Sequence, residues 1–143
     1  MKLFSKSLFI LSLLILAPLT ASAGVVVIVN EANAQSLSEA DIKGIYNDNL
    51  TQWSDGSGIK SYDLPTKNSA RETFSQKVLG VSAKDAARQW ANRKITNTAK
   101  NPPKTKKEKL VILSVKKNKK AIGYVSQSAI EGKSGIKVVM TID

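Results

Sequence analysis

The sequence predicts an α/β domain with a central mixed or parallel sheet and helices on the faces of that sheet. Two observations lead to this prediction. Residues 24–30 form a short apolar run rich in β-branched side chains, which is typical of a strand covered on both faces. Further along the chain, runs with helical spacing alternate with other strand-like runs, which is the pattern of α/β proteins.

The first 23 residues are predicted to be a cleaved signal peptide. Lys2 and Lys6 precede an apolar core at residues 8–19, and an Ala-Ser-Ala cleavage site follows it. The mature domain would then span residues 24–143 and lie in the periplasm. An uncleaved membrane anchor is the competing interpretation, but the apolar core is short for a membrane span.

Composition narrows the function classes. The chain has no cysteine and no histidine, which removes thiol chemistry, the usual metal ligands and the commonest general base. We find no paired carboxylates in apolar surroundings, so we expect no enzyme activity and no cofactor. The formal charge of +11, or +9 without Lys2 and Lys6, favours anionic partners. Export makes nucleic acid the least expected of these partners.

The first helix is predicted from its start signal. Ser38 followed three residues later by Asp41 is a capping box, in which each side chain bonds the backbone of the other residue. Leu37 and Ile42 have the spacing of a hydrophobic staple. The helix should end in the cluster of Asn and Asp at residues 47–49.

A turn and a second strand are predicted next. Residues 53–58 are rich in Gly, Ser and Asp, which is typical of a turn. The lysine of a phosphate-binding loop is missing there, so the glycines do not indicate such a loop. Residues 59–64 then read as a strand that ends at Pro65.

The run at residues 64–74 is the candidate functional site. Ser69 followed by Glu72 predicts a capping box at the start of the second helix. A helix start has unpaired N–H groups and a partial positive charge, and two cationic residues are close to this one in sequence. These features predict an anion-binding site. Its residues are Lys67, Asn68, Ser69, Ala70 and Arg71. An ordinary capped surface helix is the alternative interpretation.

Gly80 should end the second helix, which is predicted to run from Ser69 to about residue 79. A third helix then begins at a cap formed by Ser82 and Asp85. It carries the clearest helical stripe in the chain. The stripe consists of Ala83, Ala86, Ala87, Trp90 and Ala91. We expect its tryptophan to lie in the core.

Residues 93–105 are predicted to be a loop, because two prolines exclude regular structure there. Two runs are rich in lysine: the first consists of Lys100, Lys104, Lys106, Lys107 and Lys109, and the second lies at residues 116–120. A solvated surface or a contact with a polyanion or lipid headgroup would explain both runs. Aromatic residues do not alternate with the lysines, so a stacking platform for nucleic acid is not indicated. Residues 106–117 stay open: their β-branched content favours a strand, whereas Thr105 with Glu108 favours a capped helix.

The C-terminal part is predicted to form a strand, a helical turn and a last strand. The first of these strands spans residues 121–125, and Gly123 in it allows another element to approach closely. The turn begins at a serine cap, Ser126, and ends near residue 130. The last strand covers residues 136–141.

Two blocks of the sequence resemble a known family. One combines Leu37-Ser38 with Ile45-Tyr46 and Trp53, and the other is the Ala-Ile-Gly-Tyr-Val run at residues 121–125. Both resemble the phosphate-binding, PstS-like periplasmic component of ABC importers, and more closely its short, single-lobe relatives. The resemblance covers nearly all of residues 24–143. It implies a single lobe of the type II periplasmic-binding-protein-like fold.

The resemblance also implies a function. It indicates a non-enzymatic, substrate-binding-like protein of the periplasm, with phosphate or sulfate as its ligand and an ABC importer or another envelope protein as its partner. The two-lobed relatives hold the solute with an Arg-x-Asp-Gly-Ser-Gly-Thr loop, which by chain order falls on residues 64–70 here. Leu64 stands in place of the arginine and Thr66 in place of the aspartate, so we expect weak oxyanion binding.

Two alternatives stay open after this comparison of sequences. Two copies of the chain could pair and rebuild a cleft around the anion. Alternatively, the protein has lost solute binding and is an interaction module that docks on a partner protein or an anionic envelope surface.

Overall fold

The computed structural model describes residues 24–143. The predicted signal peptide lies outside the described residues. The described chain forms five strands and four α-helices, with a π-helical turn, Ser75–Leu79, directly after α2 and a 3-10 turn, Gln127–Ile130, directly after β4. In chain order the elements are β1 Val25–Asn30, α1 Glu39–Tyr46, β2 Lys60–Asp63, α2 Ser69–Phe74, α3 Ala83–Ile95, β3 Lys104–Thr105, α4 Glu108–Lys117, β4 Ala121–Ser126 and β5 Ile136–Ile142.

The strands form one mixed sheet in the order β3-β2-β4-β1-β5. β1 lies between β4 and β5 and is antiparallel to both, whereas β2 is parallel to β4 and to β3. Every residue of β1 is buried, as the apolar run predicted. The predicted fold class, an α/β lobe with a mixed sheet, is therefore confirmed.

α4 packs very closely against β4. A Cβ atom placed on Gly123 of β4 would lie 2.5 Å from Cγ1 of Val111 on α4, a distance that real Cβ contacts do not reach. The close approach predicted at this glycine is therefore confirmed. Residues 106–117, which the sequence left open, form a helix whose buried side chains face the sheet: Val111, Ile112 and Val115.

Two of the predicted starts need correction. Lys107 is the N-cap of α4 and makes no capping bond with its side chain, so the Thr105–Glu108 box does not form. The Ser126 hydroxyl does not cap the turn that follows it, because it donates to Glu108 Oε2 at 3.0 Å. Glu108 is occupied by this contact with β4, which explains why neither predicted cap exists.

The predicted loop at residues 93–105 is also wrong at both ends. α3 continues to Ile95 before the chain leaves the helix. After the two prolines, Lys104 and Thr105 pair with Tyr62 and Asp63 and form the short edge strand β3. None of the helices in residues 24–143 has the length and apolar character that crossing a bilayer requires.

Candidate functional site: the start of the second helix

The start of α2 is capped by Asn68 and not by Ser69. Asn68 Oδ1 accepts hydrogen bonds from the N–H groups of Ala70, at 2.8 Å, and Arg71, at 3.3 Å. The Asn68 carbonyl accepts from the Glu72 N–H at 3.2 Å. Three of the N–H groups that were expected to face an anion therefore already have partners within the chain.

Glu72 is engaged elsewhere, which explains why the predicted capping box with Ser69 is wrong. Its Oε1 accepts from the side-chain amide of Gln76 at 2.7 Å, and its Oε2 accepts from the N–H of Ala83 at 3.0 Å. The second bond satisfies a free N–H in the first turn of α3. Glu72 thus ties α2 to α3 instead of closing the start of its own helix.

Arg71 lies inside the protein, with 4% of its surface exposed. Its Nη2 lies 3.2 Å from Asp63 Oδ2, and its Nη1 donates to the Leu64 carbonyl at 2.6 Å. The buried face of α2 consists of Ala70, Arg71 and Phe74, so this position directs the guanidinium toward the sheet. The expectation of a surface cation at the helix start is therefore wrong for Arg71.

Asp63, the last residue of β2, is the centre of this buried network. Besides the Arg71 guanidinium, it accepts from the N–H of Leu64 at 2.9 Å and from the hydroxyl of Tyr124. Both of these hydrogen bonds go to Oδ1, whereas Oδ2 faces the Arg71 guanidinium, so each carboxylate oxygen has a partner. A buried ion pair of this kind persists only with such satisfaction, because two desolvated charges are costly.

Three aromatic rings pack beside the ion pair. The rings of Phe74 and Tyr124 are stacked, with centroids 3.9 Å apart and planes within 4°. Tyr46 contacts both edge-on, and its hydroxyl donates to the Tyr62 carbonyl at 2.7 Å. The rings connect α1, α2 and β4 with the polar network and cover one side of it.

Burial sets the protonation of these groups. Desolvation raises the pKa of Asp63, and the opposing effects of Arg71, Tyr124 and the Leu64 N–H are smaller. Desolvation together with the Asp63 charge raises the pKa of Tyr124 and of Tyr46 well above the usual range. Both phenols therefore stay neutral donors. The network is suited to holding β2, α2 and β4 together.

A cavity of about 200 Å³ lies on the α3 side of the ion pair. Trp90 is buried at its wall, as the sequence predicted, and the Arg93 guanidinium lies 4.8 Å from the centre of that ring. The other lining residues are Asp63, Arg71, Ala87, Ala91, Lys94, Pro103 and Thr105. Because the cavity contains the Asp63 carboxylate as well as cations, it is not a simple anion site.

The structure separates the five predicted anion-site residues. Lys67 and Ser69 are exposed and Asn68 is half-buried, whereas Ala70 and Arg71 are buried. An anion at the surface could therefore contact Lys67 and the Ser69 hydroxyl directly. The buried network around Asp63 was not predicted. One signal for it is present in the sequence, namely an acid at the end of a strand, Asp63, eight residues before a basic residue on a helix, Arg71.

Most lysines of the two basic runs are exposed. Lys106 is half-buried instead. Its Nζ lies 5.4 Å from the centre of the Tyr62 ring and 3.4 Å from the Ser114 hydroxyl. Lys100 is exposed, and so are the members within or next to α4 in the sequence: Lys104, Lys107, Lys109, Lys116, Lys117, Lys119 and Lys120. They give the lobe a basic surface around α4.

Comparison with known families gives the decisive observation. The profile of the PBP superfamily domain matches residues 17–139, which is most of the chain. The chain belongs to the PBP superfamily domain family. A search of the curated proteins gave no significant match.

Solved structures of PBP proteins share this fold at low sequence identity. An ABC-type phosphate transport receptor from Vibrio cholerae aligns with 82% of this chain at 18% identity and a TM-score of 0.62. PstS from Borrelia burgdorferi aligns with 82% at 12% identity, also with a TM-score of 0.62. A protein assigned as a phosphate ABC transporter substrate-binding protein, with bound phosphate, from Clostridium perfringens aligns with 82% at 20% identity and a TM-score of 0.59.

The chain spans less than half the length of these PBP structures: 46%, 47% and 44% of the respective chains. The likeness is therefore one of fold over a single lobe. It confirms the PstS-like resemblance that the two sequence blocks indicated.

Proposed function

We propose that this PBP lobe is a non-enzymatic, periplasmic substrate-binding protein of the phosphate-receptor kind that works beside an ABC importer or another envelope protein. The proposal is supported by the family profile and by the fold shared with phosphate receptors, one of which contains bound phosphate. Its ligand would be phosphate or sulfate. Two copies of the lobe could face each other around that anion.

The oxyanion would bind at the start of α2, and it would bind weakly. The observation that carries this part is the exposure of Lys67 and Ser69 beside an Arg71 that is turned inward. Asn68 and Ala70 would shape the loop, and Arg71 would hold it from below. Because each exposed charged contact contributes about 1 kcal/mol or less, the dissociation constant should be in the millimolar range.

Calorimetric titration of the mature domain with phosphate and with sulfate tests the anion site. We expect saturable heat at millimolar ligand, and Lys67→Ala should weaken this binding by up to about fivefold. Lys84→Ala, which removes an exposed lysine from α3, is the matched control and should leave the titration unchanged. Absence of heat at millimolar ligand, or equal loss in both variants, would overturn the anion-binding proposal.

A second candidate function is docking without solute binding. The observation in its favour is that the side chains of Asn68, Glu72 and Arg71 bind groups within the lobe. Exposed lysines around α4 meanwhile leave a basic surface for an anionic envelope or an acidic partner protein. Retention on anionic vesicles or on a partner should then fall as salt is raised.

A further inference from the structure

A groove runs along the outer side of α4. It has a volume of about 570 Å³ and lies between α4 and the segment that follows β4. Its apolar lining consists of Leu110, Ile112, Leu113 and Ala129. Leu110 and Leu113 are 47% and 43% exposed, and they belong to the few large hydrophobic side chains in residues 24–143 that remain so open to water.

The rim of the groove is basic. Lys109, Lys116 and Lys133 line it. Glu108 is the acid in the lining, and it is occupied: its two carboxylate oxygens accept from the N–H of Ser126, at 2.8 Å, and from the Ser126 hydroxyl, at 3.0 Å. Within residues 24–143 these three lysines form no salt bridge, and they outnumber the Glu108 carboxylate, so an apolar floor with a net positive rim faces the solvent.

The helix that forms the groove is fixed at both ends. The Asn30 side-chain amide donates to the carbonyls of Val115 and Lys116, both at 2.9 Å, and holds the C-terminal turn of α4 on β1. Glu108 holds the first turn on β4. The Lys116 side chain also passes over Gly135, where an added Cβ would meet its Cε at 3.2 Å. A groove with such walls needs little ordering when it binds a partner.

We propose that this groove is a docking site for an acidic amphipathic helix of a partner protein. The floor would receive apolar side chains at i, i+3 and i+4 spacing, as in other helix-in-groove complexes. Lys109 and Lys116 are seven residues apart, so about 10 Å of helix separates them. Acidic side chains spaced along both flanks of the partner helix would reach these lysines and Lys133.

Shape and charge disfavour the other occupants. A bilayer surface is best met by apolar side chains that protrude, whereas Leu110 and Leu113 line a concavity that a flat membrane would leave unfilled. A second copy of this chain carries the same large positive charge and would bring lysines against lysines. This site makes the docking function above specific, and it is independent of anion binding at α2.

The test uses a synthetic helical peptide with leucines at i, i+3 and i+4 spacing and glutamates on both flanks of that stripe. A second peptide has lysine in place of every glutamate. Amide NMR spectra of the mature domain should shift with the acidic peptide at α4 and at residues 127–133, and should not respond to the basic one. Leu113→Ser should weaken the binding about tenfold, and Lys116→Gln, which removes an exposed charge, by up to about fivefold.

Matched controls keep the result specific to the groove. Ile95→Ser removes an exposed hydrophobic side chain outside it, and Lys84→Gln removes an exposed lysine outside it; neither should change the affinity. Equal binding of both peptides, or the absence of shifts at α4, would overturn the proposal. Binding to phosphatidylglycerol vesicles through the groove residues, without binding of the acidic peptide, would overturn it in favour of a membrane. Docking through the other lysines would persist in Leu113→Ser, so failure of the groove is distinguishable from failure of docking.

Discussion

The start of α2 and the outer side of α4 differ in which side chains they leave available to a partner. At α2, polar groups that a ligand could have used are bonded inside the lobe: Asn68 caps the helix and Arg71 pairs with Asp63. At α4, apolar side chains that the core could have used remain in water, with Leu110 and Leu113 in an open groove. Both regions lie on short helices packed against the same sheet.

This difference indicates where an isolated lobe can still interact. A polar group that is bonded internally gains nothing from a new partner, because an existing hydrogen bond must first break. An exposed leucine gains about 25 cal/mol for each Å² that a partner removes from water. The groove therefore offers more binding free energy than the helix start does, and substitutions in the two regions should differ accordingly.

The largest effect should come from Arg71→Met. The variant leaves the Asp63 carboxylate buried without its cation, so we expect a loss of about 3–5 kcal/mol in the free energy of unfolding. Urea unfolding at neutral pH measures it. Lys67→Met removes an exposed cation four residues earlier in the sequence and should cost less than about 0.5 kcal/mol. Equal costs for the two variants would mean that Arg71 is free to serve a ligand.

The cost of Arg71→Met should also depend on pH. Burial already raises the pKa of Asp63 above its ordinary value of 3.8, and removing the opposing Arg71 charge raises it further. Between the unfolded and the folded pKa the native state binds more protons, so the stability of the variant falls as pH rises through that window. Relative to the wild type, the loss should grow by at most about 1.4 kcal/mol per pH unit.

Unfolding measured at about pH 3.5 and about pH 7 checks this dependence. The free energy of unfolding of the variant should be closer to that of the wild type at the lower pH, where Asp63 is mostly protonated in the folded and in the unfolded state. If the loss in the free energy of unfolding does not change with pH, then Arg71 does not stabilise the fold through its charge.

Gly123→Ala tests how tightly α4 is held. The added methyl group would collide with Val111, so we expect a loss of about 1–3 kcal/mol. Gly58→Ala is the control, because no atom lies within 4 Å of the position of its added Cβ. Combining Gly123→Ala with Val111→Ala should recover part of the loss, and no loss in the single variant would mean that α4 is free to shift.

Asn68→Ala should cost about 1 kcal/mol in the free energy of unfolding, because the N–H groups of Ala70 and Arg71 lose their acceptor. Ser69→Ala should be close to neutral. Thermal unfolding of the two variants compares them directly. A larger loss for Ser69→Ala than for Asn68→Ala would indicate that Ser69 caps the helix and that Asn68 does not occupy these N–H groups.

Leu113→Ser should have only a small effect on stability. Since Leu113 is 43% exposed on the outer side of α4, we expect a change of less than about 0.5 kcal/mol in the free energy of unfolding. Urea unfolding measures it. A loss above about 2 kcal/mol is typical of substitutions in a core, so it would place Leu113 in the core and contradict the open groove.

Local signals predicted the fold well. The buried run in β1, the capping box of α1, with Ser38 Oγ accepting from the Asp41 N–H at 3.1 Å, and the left-handed Gly80 after the π turn depend on neighbours in sequence. The close approach at Gly123 was also readable, because only a missing side chain permits it.

Side chains with long-range partners were not predictable in the same way. Glu108 and Glu72 each fit a capping pattern, but Ser126 on β4 and Ala83 on α3 engage them instead. Arg71 was expected at the surface because nothing local in the sequence places Asp63 and Tyr124 beside it. β3 was missed because two residues following a proline pair become a strand only through β2.

We infer that the polar groups at the start of α2 are bonded within the lobe and that only a weak surface contact for an oxyanion is left there. An NMR titration of the mature domain with phosphate, followed at the amides of residues 67–70, tests it most directly. We expect saturable shifts at these amides with a dissociation constant in the millimolar range. Micromolar affinity, or no shift at these amides, would contradict it.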